Sequence, residues 1–320
     1  MESFKKRIEF EGSTKDIALE ICKDYNLGEF KSSKLILCGY EDYNFILETT
    51  KKEYFVKVFA SFRDQKGCER YINIMDKAIE AKISTPKIYK INNNSLYSKT
   101  ISGSNIRLCV MEHIEGKTFY ELGRKLTPEE IKIVARQAAH INSIDLHPNH
   151  IYDSWAITHF LKEYKEKRSH LKPKDQAMID PLVKEFKDMN IDSLPHCFAH
   201  GDIIATNLMK DKNNKLKIID FSVSNYYPRI QELAVISCSL LLDRRGWNPT
   251  KESVDILLSE YQKITPLTKR ELEVFPTYLK LAHAMHILGA GFQESAENNH
   301  SDENKYWLNT GRKGLEQMVD

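Results

Sequence analysis

No C-x-x-C pair occurs among the six cysteines, Cys22, Cys38, Cys68, Cys109, Cys197 and Cys238, which excludes the common zinc and dithiol redox motifs and leaves ordinary buried thiols. Charge of one sign is missing as well. Lys and Arg number 47 against 45 Asp and Glu, and the +2 balance gives no whole-chain reason to expect nucleic acid or an anionic membrane as partner. No run approaches the roughly 18 apolar residues of a membrane helix, and the opening MESFKKRIEF has no apolar signal-peptide core, so the expected location is the cytoplasm. Internal repeats, low-complexity tracts and Gly/Ser- or Pro-rich linkers are also lacking, so any two domains are closely joined.

What is present is enough apolar material, 41% of 320 residues, to bury a sizeable core. Short β-rich runs, KLILCGY, NFILETT and EYFVKVFA, lie between Lys34 and Ala60 and predict an antiparallel meander. Arg63 to Ala81 has helical spacing, and IRLCVMEHI, Ile106 to Ile114, returns to a strand pattern. Beyond Gly116 the patterns become long and helical. Thr127 to Ile144 opens on TPEE, which offers an N-cap threonine, proline in the first turn and acids favourable to the helix dipole. One interruption, CFAHGDIIATNLMKDKNNKLKIIDFS from Cys197 to Ser222, predicts a hairpin turning at Asp211 to Asn214.

That interruption carries the chemistry. Asp202 and Asn207 stand five positions apart, and Asp220 follows thirteen positions later. Phosphoryl transfer needs a carboxylate to orient and accept the proton of an attacking hydroxyl, with an amide oxygen and a second carboxylate to hold magnesium against a triphosphate. The three residues supply those groups in order.

The stretch HGDIIATN followed by IIDF resembles the catalytic loop and metal-binding strand of the aminoglycoside phosphotransferase and choline kinase superfamily. Eukaryotic protein kinases carry Arg where this chain has Gly201. The resemblance implies an α+β, protein-kinase-like two-lobed fold, with a small antiparallel-sheet N-lobe over 1–112 and a larger, mainly helical C-lobe over 113–320. It implies a kinase that passes the γ-phosphoryl group of ATP, or GTP, to a hydroxyl on a small molecule with Mg2+. Asp202 is then the base, Asn207 and Asp220 are the magnesium ligands, and His200 braces the loop.

The same resemblance places the phosphate-binding lysine at Lys57 in YFVKVF and its helix partner at Glu69, with Glu80 and Asp76 as alternatives. The turn Cys38–Asn44 takes the place of the nucleotide-covering loop, with Gly39 and Asn44 as contacts, although it is poor in glycine. CVMEHIEGKTF is similar to the hinge, with Glu112 and Ile114 as backbone partners of the adenine. Glu232 stands where the family usually has Asp, and Ile141-Asn142 where relatives commonly have Leu-His. No glycine follows Asp220-Phe221, and only about ten residues separate Asp220 from the next helix, which argues against an ordinary protein kinase with a long activation segment.

The acceptor is expected near Ser224, Tyr226, Asp243, Arg244, Arg245, Trp247, His283 and Tyr306, with Trp247, Phe292 and Trp307 as potential cage aromatics. No signature names it among aminoglycosides, amino acids, sugars and amino alcohols. Two other readings remain: a catalytically silent nucleotide-binding module, and a protein Ser/Thr kinase of the same superfamily.

Overall fold

The computed structural model describes residues 6–36, 42–242 and 249–318. The chain divides into two compact units, Met1–Gly116 and Lys117–Asp320.

The first unit is an antiparallel sheet with two helices. Strands β1 (Phe30–Leu35), β2 (Tyr43–Thr49) and β3 (Glu53–Val58) form the meander, and β6 (Ser104–Glu112) pairs with β3 and with the short β4 (Ile88–Tyr89) and β5 (Tyr97–Ile101). In β2, Tyr43, Phe45, Leu47 and Thr49 are buried while their neighbours are half-exposed, the alternation of a strand with one face on the core. Helix α1 (Thr14–Asp24) closes that face. Its capping box joins Ser13 and Asp16, and Ile17, Ala18, Ile21 and Cys22 enter one core with Phe45, Leu47, Val56, Val58, Leu108 and Val110. Helix α2 (Gln65–Glu80) buries Cys68, Tyr71, Ile72, Ile74, Met75 and Ala78.

The second unit is mainly helical. Helix α3 (Pro128–Asn142) begins as its TPEE signal requires: the Thr127 hydroxyl accepts from Glu130 N–H, and the Glu130 carboxylate accepts from Thr127 N–H. Strand β7 (Gly116–Thr118) and a single helical turn, Phe119–Leu122, precede it. Three short helices span 160–189, and four longer ones complete the unit: α4 (Ile230–Leu240), α5 (Lys251–Gln262), α6 (Lys269–Ala296) and α7 (Asp302–Glu316). Helices α6 and α7 approach closely because Gly311 and Gly314 have no Cβ. One at Gly314 would lie 2.1 Å from the His283 ring. Among the described residues no helix is long and apolar enough to cross a membrane.

The polar interruption is more elaborate than a single hairpin. Strands β9 (Leu208–Asp211) and β10 (Leu216–Ile218) form the expected hairpin, its turn fastened by Asp211, whose carboxylate accepts from Asn213 and Lys215 N–H at 2.8 Å each. Strand β8 (His196–Ala199) pairs instead with β11 (Asn225–Pro228), which the sequence pattern does not reveal. The segments 200–207 and 219–224 are therefore loops between two small sheets.

Candidate functional site

Two polar clusters stand out, one in each unit. In the second, Asp202 and Asn207 sit in the loop between β8 and β9. Asn207 Nδ2 donates to Asp202 Oδ2 at 2.6 Å and to its carbonyl at 3.1 Å, so the amide fixes the carboxylate's rotamer. Asp220 follows β10 with φ +62°, an uncommon conformation for a residue with a side chain. Its Oδ1 accepts from the Ser222 backbone and hydroxyl. The loops are tied together where Ile219 N–H donates to Asn207 O at 2.9 Å.

His200 is fully buried. Asp202 N–H donates to its Nδ1 at 3.2 Å, so the ring proton resides on Nε2, which reaches Ile219 O at 3.1 Å. Burial pushes its pKa down to about 4 even though Asp220 pulls the other way. A neutral imidazole with both nitrogens engaged is a brace between the two loops rather than a proton carrier.

The loop has further supports. Gly201, at φ +83°, donates its N–H to Glu232 at 3.2 Å, and Ala205 N–H donates to Ser239 Oγ at 3.0 Å. Asn142 donates to Phe198 O at 3.0 Å and accepts from the Tyr261 hydroxyl at 2.7 Å, which fixes strand β8. The Asn142 amide therefore supports the strand that leads into the loop carrying Asp202.

The electrostatics around Asp202 are one-sided. Burial, and then Asp153, Asp220 and Glu232, push its pKa up to about 8, against the Asn207 hydrogen bond. Burial also lifts Glu232 to about 7 although the Gly201 and His200 backbones favour its charged form. Asp153, buried itself, escaped the sequence analysis because its proximity to Asp202 arises from a helix-free stretch with no motif.

Aromatic side chains gather beside this loop. Tyr120 meets Tyr306 edge-on at 5.0 Å, Tyr306 meets Trp307 at 4.8 Å, and His286 lies between Trp307 at 5.0 Å and Trp155 at 6.3 Å. Ile204 of the loop packs on the same group. Of the acceptor candidates, Tyr306 and Trp307 belong here. His283 is sealed in the core, and Phe292 packs instead on His170 and Lys167. Asp243, Arg244, Arg245 and Trp247 lie outside the described residues.

In the first unit, Lys57 does not project from a solvated face: it is 3% exposed. Its Nζ meets Asp42 Oδ2 at 2.9 Å and lies 5.2 Å from the centre of the Tyr71 ring. The Glu69 partnership is corrected here. Glu69 is on the exposed side of α2, where it accepts from Gln65 at 2.8 Å, because the helix spends its inward face on Cys68, Tyr71 and Ile72. Asp76 pairs with Lys90 and Glu80 with Lys77, so neither alternative replaces it. Asn44 stands directly across from Lys57 in the β2–β3 register, and its Oδ1 is buried without a hydrogen-bond partner.

Gly39 lies outside the described residues. Of the two hinge residues, Glu112 N–H is consumed by Lys87 O at 2.8 Å, whereas Ile114, in the connection after β6, makes no hydrogen bond among the described residues.

The chain matches the family model described as "Phosphotransferase enzyme family" over residues 33–258. It is 21% identical to a homoserine kinase of Agrobacterium fabrum strain C58 over 82% of this chain and 80% of that protein. Among solved structures, a microcompartment-associated aminopropanol kinase superposes with a TM-score of 0.71 at 13% identity, covering 95% of this chain and 96% of its own. The choline kinase LicA of Streptococcus pneumoniae superposes with a TM-score of 0.58 at 19% identity, covering 95% and 98%.

Proposed function

The chain belongs to the phosphotransferase enzyme family and is a small-molecule kinase with an alcohol group as acceptor; from that premise we propose that it phosphorylates the hydroxyl of a small amino alcohol, with ATP as donor. The observation that carries this reading is the environment of Asp202, a carboxylate oriented by Asn207, backed by the second acid Asp153 and bordered by an aromatic group.

Asp202 orients the acceptor hydroxyl and takes its proton as the oxygen attacks the γ-phosphorus, the bond from that phosphorus to the β-phosphate oxygen breaks, and ADP leaves. A cation bound beside Asp202 would favour its charged form, the form that accepts the proton. Asn207 and Asp220 offer hard oxygen donors, the set that magnesium prefers, and they would hold it there. Bound magnesium supplies charge neutralisation on the phosphates. Lys57 supplies a second positive charge, and the uncommitted backbone at Ile114 suits an adenine edge. GTP would find the same backbone groups, so the choice of ATP rests on the family resemblance alone.

The acceptor class follows from complementarity. An ammonium group gains from a buried carboxylate and from aromatic faces, and Asp153 with Trp155, Tyr306 and Trp307 provides both. The relatives named for homoserine and aminopropanol act on molecules that pair a hydroxyl with an amine.

The test is magnesium-dependent turnover of ATP and GTP across homoserine, aminopropanol, ethanolamine, choline, threonine, simple sugars and aminoglycosides, with Asp202→Ala as control. Turnover stimulated by an amino alcohol and lost in the control is expected. Full turnover in Asp202→Ala sinks the assignment, and stimulation by an amine-free sugar alone sinks the acceptor class.

A further inference from the structure

Lys57 and Asp42 are both internal, with 4% and 3% of their side chains exposed. A lysine this deep keeps its charge only beside an anion. Asp42 is itself immobilised: its Oδ1 accepts from Ala60 N–H at 3.0 Å and from Arg63 Nε at 3.1 Å, leaving Oδ2 for the lysine. Burial raises the pKa of Asp42, and Lys57 followed by Arg63 outweighs it, holding the carboxyl below its usual range. What α2 presents to Lys57 is the face of Tyr71, a ring rather than an acid.

We propose that Asp42 is the positioning residue for Lys57, doing from the foot of β2 what protein kinases do with a helix glutamate. The inference rests on Lys57 being the phosphate-binding lysine. An ammonium has three N–H donors, and Asp42 Oδ2 fixes the direction of one of them. The pair lies within one strand hairpin and its edge, since Asn44, two residues on, is the cross-strand partner of Lys57. Alignment of the lysine is therefore set by the β2–β3 register together with Arg63, the residue before the N-cap of α2, and not by an acid on α2.

Four variants test this with magnesium-ATP and the acceptor that supports turnover: Lys57→Ala, Asp42→Asn, Asp42→Glu and Glu69→Gln. Lys57→Ala isolates the premise, because wild-type ATP constants in that variant refute the role of the lysine whatever Asp42 does. With Lys57→Ala impaired, Asp42→Asn is expected to raise KM for ATP or lower kcat by about 10–100-fold, the scale of a misplaced catalytic group, with KM for the acceptor within about twofold. Glu69→Gln is expected to leave all three constants within about twofold. Should Asp42→Asn fail to fold, Asp42→Glu is read in its place, with a change of at least about fivefold in the ATP constants at unchanged acceptor KM as the criterion. Unchanged ATP constants in whichever Asp42 variant folds, or their loss in Glu69→Gln, overturns the proposal.

Discussion

The clusters around Lys57 and Asp202 follow opposite electrostatic plans. At Lys57 the carboxylate of Asp42 is shared by two cations, Lys57 and Arg63, and the anion is held ionised although it is buried. At Asp202 the charged neighbours that move its pKa are Asp153, Asp220 and Glu232, all of its own sign. The second cluster gains from any cation brought to it, and a kinase brings two: magnesium with the nucleotide and, on the reading above, the ammonium of the acceptor.

The comparison is broken most severely at Asp202 itself. Asp202→Ala should lower kcat by roughly 10²–10⁴-fold, the usual contribution of a general base, while nucleotide binding measured by calorimetry survives.

A pH series sharpens the contrast. Asp202 and Glu232 have folded-state pKa values raised to about 8 and about 7, above their ordinary values. Above those ordinary values the folded protein holds protons that the unfolded chain has lost, so stability falls as pH rises and levels off beyond the folded pKa values. His200, His283 and His286, which burial holds down to about 4, 4 and 3, act in the opposite sense below about pH 6.5, so the downward slope due to the two carboxyls between about pH 4 and 8 is read in urea unfolding of metal-free protein as the difference between wild type and variant. Asp202→Asn should flatten the upper part of that slope, and Glu232→Gln the part below about pH 7. Asp42→Asn should not flatten either, because a lowered carboxylate pKa acts in the opposite sense and at lower pH.

Smaller effects are expected from the supports. Tyr261→Phe removes the donor to Asn142 Oδ1 and should lower stability by about 1–3 kcal/mol in urea unfolding, the range for a buried acceptor left unpaired. Thr127→Ala removes only a helix cap, about 1 kcal/mol, with kcat unchanged.

Legibility in the sequence divides along the same line. The grouping of Asp202, Asn207 and Asp220 was readable because the loops that carry them are local in the chain, on either side of one hairpin. The cap of α3 was readable because Thr127-Pro128-Glu129-Glu130 contains the whole device. Asp42 was not, since its role depends on strand register and on Arg63, 21 positions away. The mistake at Glu69 had an available remedy: Cys68, Tyr71, Ile72 and Met75 mark the inward stripe of α2, and Glu69 lies about 100° round from Cys68. The pairing of β8 with β11 had no comparable signal, because both are four-residue strands separated by the entire hairpin.

Gly201 bears on how such an enzyme is governed. In protein kinases regulated by phosphorylation, an arginine at this position helps an activation loop answer to a phosphate. Here the backbone at Gly201 is left-handed, φ +83°, and its N–H is engaged by Glu232. An arginine side chain at that φ is strained before it reaches any phosphate, so one substitution does not install that form of control. The shape of the loop at Gly201 is set by backbone conformation and by the Glu232 carboxylate, with no side chain at that position to carry a signal.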